Sequence, residues 1–382
     1  MKPILYIVFL ILIAPKFFSQ QFGNEWIDYG QSYYSFNIYQ SGIHKIDFSV
    51  LQSAGIPIQS FSSDNIQMFG RQNEIPIFIE DGGDGSIDNG DYILFYAEKN
   101  DGWLDTSLYD NPEWMGNPKY SLYNDTIEYF FTWNNLTNNK RFNIETDTDY
   151  NSYTPSEYVL FEVFESFNDL YNESVSCSSS DVSSSFYVEG EGWGTAIKNG
   201  VNNSNGHWDF PSLSFENVFQ NFNSPDIQYK SVLIAKSAGA HHTKHTIGNN
   251  HILFDSVFTC YTSVFIENSF SPSLVSPSGS SNFKIDIIDD QGAATDVQSL
   301  NYWSFVYPRT PSFSNSNYVD FEVINSTTKV RLDMSNLNMT NPIMFSLGSV
   351  PAKIPVPGVS SPQSSPSASV MHKTGESKAA AP

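Results

Sequence analysis

The chain is short of positive charge. It has 19 Lys and Arg against 41 Asp and Glu, a formal charge of -22 over 382 residues. That balance excludes nucleic acid as a partner, because holding phosphates requires clustered Lys and Arg. It also disfavours anionic lipid surfaces and suits an exported protein surrounded by cations. Cysteine is nearly absent, with Cys177 and Cys260 alone. Two cysteines this far apart offer no spacing to test, and a zinc site would need further ligands in a motif that is missing. Outside the cytoplasm the two can pair. Cys177 lies in a serine run that reads as a loop. Cys260 lies in an apolar strand, where filling the core is its simplest role. After the first twenty residues no apolar run is long enough for a membrane helix. There is no Gly-x-Ser-x-Gly elbow, and no His is followed by Gly, the pair that a caspase-like cysteine site requires. No stretch alternates helix with strand, and no repeat of fixed period is present.

What is present is aromatic and β-forming. Aromatics make up 15% of the chain, with 30 Phe and 21 Tyr, enough apolar material for folded cores. Met1-Lys2, an apolar run from Ile4 to Ala14, and Pro15 read as a secretory signal peptide over 1–20. The expected location is therefore exported, in the periplasm or at the outer-membrane cell surface. Residues 21–150 show short alternating strands, with one helix-like piece from Phe48 to Gly55 and Ser49 as its N-cap. Pro76 restricts its strand to an edge or a bulge. Residues 151–348 form a second series of strands separated by Ser, Asn, Gly and Pro. Residues 349–382 lose the aromatics and read as an unfolded tail, whether an ordinary one or an artificial ending. The expected fold class is mainly all-β: two antiparallel β-sandwich-like domains with few short helices.

Three groups of residues invite a chemical reading. The loop from Glu80 carries Asp81, Asp84, Asp88 and Asp91 among glycines, and runs into the apolar stretch Tyr92 to Tyr96. Carboxylates on a flexible turn suit a structural calcium, although the spacing is not that of an EF-hand. The same residue types also build plain turns. His241, His242 and His245, with His251 beyond, contain a spacing of four that suits a metal on a helix. Here no Glu follows the first His, and the neighbours favour an exposed strand or loop. Trp103, Trp114, Trp193 and Trp208 are the right type to stack on sugars, and equally the right type to anchor a core.

Three stretches carry a family resemblance. Trp26 to Leu51 holds a strand, then Gly42-Ile43-His44-Lys45-Ile46, then the short helix. Asp81 to Tyr96 is an acidic loop followed by Asp-Tyr-Ile-Leu-Phe-Tyr. Leu300 to Arg309 ends in Tyr-Pro-Arg. Together, over roughly Gly23 to Gly348, the chain resembles the N-terminal, non-catalytic region of the PorU family, the gingipain-related sortases of the type IX secretion system of Bacteroidota. The resemblance implies a parent cysteine peptidase that removes C-terminal signals from cargo and attaches it to the cell surface, with secretion-system proteins and cargo as partners. It places the catalytic His and Cys in a peptidase domain after this segment, so it assigns no catalytic residue here. Two other readings stand beside it: an independent surface module that binds carbohydrate or protein, and a hydrolase built on His241 and His245.

Overall fold

The computed structural model of the protein describes residues 23–381, apart from 148, 174, 177–178, 184–186, 190, 202–205, 314–317, 324–328, 338–341, 349–350, 355–366 and 373–377. The expected signal peptide and Cys177 lie outside the described residues. The fold is mostly β, in several antiparallel sheets.

The N-terminal sheets are built from β1 (Tyr34–Ile38), β2 (Gly42–Asp47), β3 (Ile66–Gly70), β4 (Asn73–Ile75), β5 (Ile77–Glu80), β6 (Tyr92–Ala97) and β7 (Ile127–Trp133). One sheet has the order β1-β7-β3-β4 and the other β2-β6-β5. Their apolar faces share a core that includes Ile66, Met68, Ile77, Ile93, Phe95 and Phe131. Pro76 falls between β4 and β5, which lie in different sheets and are each an edge strand. A residue without an N–H fits where the chain leaves one ladder for another. The helix α1 (Phe48–Ser53) forms where expected, but its N-cap is Asp47, without a side-chain cap bond, and not Ser49. Leu51 is its buried residue. The α1 amide of Phe48 donates to the Asp91 carbonyl, which joins the helix start to the end of the acidic loop.

The next strands are β8 (Asn143–Ile144), β9 (Val159–Ser166), β10 (Leu170–Asn172), β11 (Val175–Ser176), β12 (Ser179–Ser183), β13 (Gly192–Gly194), β14 (Lys198–Asn199) and β15 (His207–Ser214). The longer β16 (Ile227–Ala235), β17 (Ala240–Ile247), β18 (His251–Thr259), β19 (Ser263–Phe270), β20 (Ser280–Ile287) and β21 (Val297–Arg309) complete a sandwich. One face is β19-β16-β21-β9, and the other is β15-β20-β17-β18. Between them lies the largest core, with Tyr229, Phe215, Phe283, Phe305 and Tyr307 fully buried. In β21, Leu300 and Trp303 both face this core, although strict alternation would separate them. The pairing with β16 jumps from Leu233↔Leu300 to Val232↔Tyr302, so Asn301 is a bulge residue and shifts the alternation by one.

The first sheet of the sandwich continues through β22 (Val319–Glu322), and a third core gathers Phe313, Phe321, Leu332, Met334 and Met344. It involves β23 (Val330–Ser335), β24 (Met344–Ser346) and β25 (Ala352–Ile354). Phe345 of β24 packs against Phe142 and Leu94, which joins the outer face of the β2-β6-β5 sheet to this region. In 349–382, where composition leads one to expect an unfolded tail, β25 pairs with β24 and β8. Here β26 (Ser367–His372) pairs with β23, and β27 (Lys378–Ala381) with β22 and β24. Ladder formation uses backbone groups, which every residue except proline carries in full, so an absence of aromatics does not forbid it.

One contact in the first sandwich is tight enough to test. Gly70 lies under the Tyr129 ring, and a Cβ there would overlap that ring. The ring is fixed by the Tyr129 hydroxyl, which accepts from the Glu98 amide at 2.9 Å. Gly70→Ala is expected to destabilise by about 1–3 kcal/mol, as overpacking does. Thermal unfolding reads this directly, and an unchanged Tm would show that the ring moves freely.

Candidate functional site

The acidic loop folds onto its own backbone. Gly82, Gly83, Gly85 and Gly90 all take positive φ, between 65° and 110°, a region that glycine enters without a Cβ penalty. Asp81 Oδ1 accepts from the Gly83 amide, Asp84 Oδ1 from the Ser86 amide and Asp91 Oδ2 from the Asp88 amide. The first two are Asx turns, and the third reaches back three residues to the amide of Asp88. The other oxygen of Asp81 accepts from the Ser63 hydroxyl, and Gly85 accepts from both Ser62 and Ser63. Ile87, buried in the N-terminal core, pins the middle of the loop. Among the described residues, no group of three or more His, Cys, Asp or Glu is placed to hold one metal ion. Asp81, Asp84 and Asp91 each hold a nearby amide.

The histidine stretch corrects the expectation of an exposed strand or loop. It forms β17, and His241, Thr243 and His245 are its inward positions, all fully buried. His241 Nδ1 meets Asp296 Oδ1 at 2.6 Å and its Nε2 meets the Ser237 carbonyl at 2.9 Å. Asp296 also accepts from Gln298 Nε2, and Gln298 Oε1 accepts from the Thr243 hydroxyl at 2.6 Å. This is a buried polar chain between two sheets. Among the described residues, the far nitrogen of His241 faces a carbonyl and not a hydroxyl.

His245 is different. Its Nδ1 pairs with the Tyr229 hydroxyl at 2.6 Å, and its Nε2 has no partner among the described residues. Burial pushes the ring down to about 3. Burial likewise pushes the Tyr229 phenol far up, so it keeps its hydrogen. His242, pointing outward from the same strand, has the opposite sign. Burial works against its charge, but bonds to Asp255 at 2.7 Å and Asp290 at 2.8 Å outweigh this and raise its pKa.

The tryptophans have the following neighbours. Trp208 is part of the main core, and Trp193 Nε1 donates to the Leu122 carbonyl. Trp103 lies beneath the Arg71 guanidinium, 5.8 Å away. Trp114 ends a single 3₁₀ turn. Cys260 is not a strand-core residue. It follows β18 in a turn with φ of 72° and is disulfide-bonded. The sequence reading did not single out the chemistry of Arg309, the end of the Tyr-Pro-Arg stretch. Its side chain is 6% exposed, and Nη2 donates to Glu216 Oε2 and to the Ser312 carbonyl, each at 3.1 Å. The guanidinium lies 4.7 Å from the Phe161 ring centre and 5.2 Å from that of Phe313. The signal was legible as an arginine closing an apolar strand, where a charge requires partners.

The histidines predict an acid response. A ring held below its ordinary value of 6.5 is neutral in the fold while the unfolded chain takes up a proton. The stability that His245 supplies is present above about pH 6.5 and is lost as pH falls toward 3. His242→Gln should remove a term of opposite sign, present at low pH and lost as pH rises above 6.5 through the raised value. Chemical denaturation from pH 7.5 to 5 is expected to give a shallower acid slope for His245→Gln than for the parent. An identical slope would show that His245 does not control it.

The fold is similar to that of dimeric latent PorU from Porphyromonas gingivalis. The TM-score is 0.51 with 12% identity, covering 92% of this chain and 32% of that one. The chain thus spans about a third of the length of that protein. Two structures of infectious bursal disease virus, from the Gx strain and from a VP2 subviral particle, align over 92% of the chain and 79% of theirs. Their identities are 9% and 8%, with TM-scores of 0.21 and 0.19, too low to argue from. No family model matches the chain, and no curated protein matches it. What stands is a PorU-like fold, reached from a sequence that shares few residues with the PorU structure.

Proposed function

We propose that the chain is the exported, β-rich, non-catalytic front part of a PorU-like sortase of type IX secretion. The parent protein would remove C-terminal signals from cargo and attach the cargo to the cell surface. The carrying observation is the fold likeness over 92% of this chain and 32% of PorU, which fits one portion of a longer protein. The resemblant stretches add support. The first ends in β2 and α1 and the second in β6, and β2 pairs with β6 along its whole length, Gly42↔Ala97 to Asp47↔Tyr92. Two stretches far apart in sequence thus form one ladder, which the family-like text alone does not require. The third is β21, the strand between β16 and β9. In this reading the segment is a scaffold, and its partners are secretion-system proteins and cargo.

An in-frame deletion of the codons for 23–348, made in the organism that carries the gene, tests the reading. The expected result is cargo that keeps its C-terminal signal and is lost from the cell surface, read by immunoblot and surface labelling. Normal processing and attachment would overturn it.

A further inference from the structure

Three Asn-Gly steps occur in the chain, Asn89-Gly90, Asn199-Gly200 and Asn205-Gly206, and Asn205 lies outside the described residues. Such a step is reactive because the second residue has no Cβ. Its amide nitrogen can then approach the asparagine side-chain carbonyl and close a five-membered ring. The fold treats the two described steps in opposite ways. Asn199 is held. Its Oδ1 accepts from the Val201 amide at 3.0 Å and from the Asp296 amide at 3.3 Å, and the Gly200 amide donates to the Asp296 carbonyl at 2.9 Å. Asn199 also pairs with Val297 of β21, and Gly200 is buried. Electrophile and nucleophile are both engaged.

Asn89 is open. With Gly90 it forms the exposed tip of the turn that ends the acidic loop. That turn is held from its ends: the Asp91 amide donates to the Asp88 carbonyl at 3.1 Å, and the Asp88 amide to Asp91 Oδ2 at 2.7 Å. Among the described residues, neither the Asn89 side chain nor the Gly90 amide has a hydrogen bond. Gly90 has a φ of 110° and open space beside it. Asp81-Gly82 and Asp84-Gly85 in the same loop are less reactive, because an ionised carboxylate is a poorer electrophile than an amide. Asp81 is tied further by the Ser63 hydroxyl.

We propose that Asn89-Gly90 is a self-modifying site, where the folded protein converts asparagine to aspartate and isoaspartate and so loosens the acidic loop. Solvent base takes the proton of the Gly90 amide, and the nitrogen attacks the Asn89 side-chain carbonyl carbon. The new C–N bond forms as the bond to Nδ2 breaks, and ammonia leaves. Water then opens the cyclic imide at either carbonyl. Both products place a negative charge between Asp88 and Asp91, which repel it. Isoaspartate also lengthens the main chain by one atom within the bonded turn. The flanks of that turn are fixed: Ile87 is buried in the N-terminal core, and the Asp91 carbonyl accepts from the Phe48 amide at the start of α1. The product therefore strains the junction of loop and helix. Nothing in this reaction depends on the secretion role proposed above.

The test incubates the intact chain at mildly alkaline pH and follows both asparagines by peptide mass after digestion in acid, which adds no conversion of its own. Amide becoming acid raises a peptide by one mass unit. An isoaspartyl carboxyl methyltransferase with a labelled methyl donor then marks the isoaspartate. Asn89 is expected to convert about a hundredfold faster than Asn199, where three hydrogen bonds must open first. The aged parent should melt about 2 °C below the fresh protein. Asn89→Gln, which would have to close a less favourable six-membered ring, should keep its mass and its Tm over the same time. Asn89→Ser, with no amide to lose, is the second control should the glutamine variant melt early when fresh. An Asn89 that stays intact, an Asn199 that converts as fast, an aged parent with an unchanged Tm, or a Tm loss that both variants share would each overturn the proposal.

Discussion

Burial of β21 on both faces is the constraint on which the rest of the structure depends. Nearly every side chain along its 13 residues is buried, and a strand of that kind needs cover above and below. The inner cover is the β15-β20-β17-β18 sheet. The outer cover comes partly from far back in the chain. Asn117 Nδ2 donates to the Asn301 carbonyl, and the Thr195 amide to the Leu300 carbonyl. The segment carrying Asn117 arises between β6 and β7 of the N-terminal sheets. It is thus held by β21 as well as by its own neighbours, and Asp105 seals it by accepting from the Ser121 hydroxyl and the Leu122 amide.

That interior also carries polarity where an apolar core would suffice. His241, Asp296, Gln298 and Thr243 form a hydrogen-bonded run that crosses from one sheet to the other. Such groups cost desolvation and return it only when every member is satisfied. Their value lies in register: β17 shifted by one residue along β20 would place His241 away from Asp296. Purely aliphatic side chains at these positions would tolerate that shift more readily.

Much of the fold class was legible and much of the site was not. Alternation in Gly42–Asp47 marked a strand, because each residue type answers to the face on which it lies. The Phe48 helix was also legible, although its N-cap is Asp47, two residues before the expected Ser49. The histidine stretch misled, because three polar inward residues look like an exposed face. Their partners, Asp296, Gln298 and Tyr229, lie on other strands, and tertiary proximity leaves no local trace. Cys260 read as a strand residue because of the apolar run before it, whereas the turn at its positive φ is imposed by the crossing from β18 to β19. The acidic loop showed its turn chemistry openly, since Asp and Gly act through their own backbone neighbours.

Pro76 sends the chain from one N-terminal sheet to the other, and β1 finds its only described partner in β7. Residues 34–38 therefore wait for residues 127–133, the strand that pairs with both β1 and β3. Such long-range closure is slow, because loop entropy is lost before pairing compensates it. During synthesis, or during any threading from the N-terminus, the early strands have an open edge until Trp133 emerges. One late strand thus delays closure of the first sheet, after the β3–β4 hairpin and the β2-β6-β5 sheet have had their partners in place.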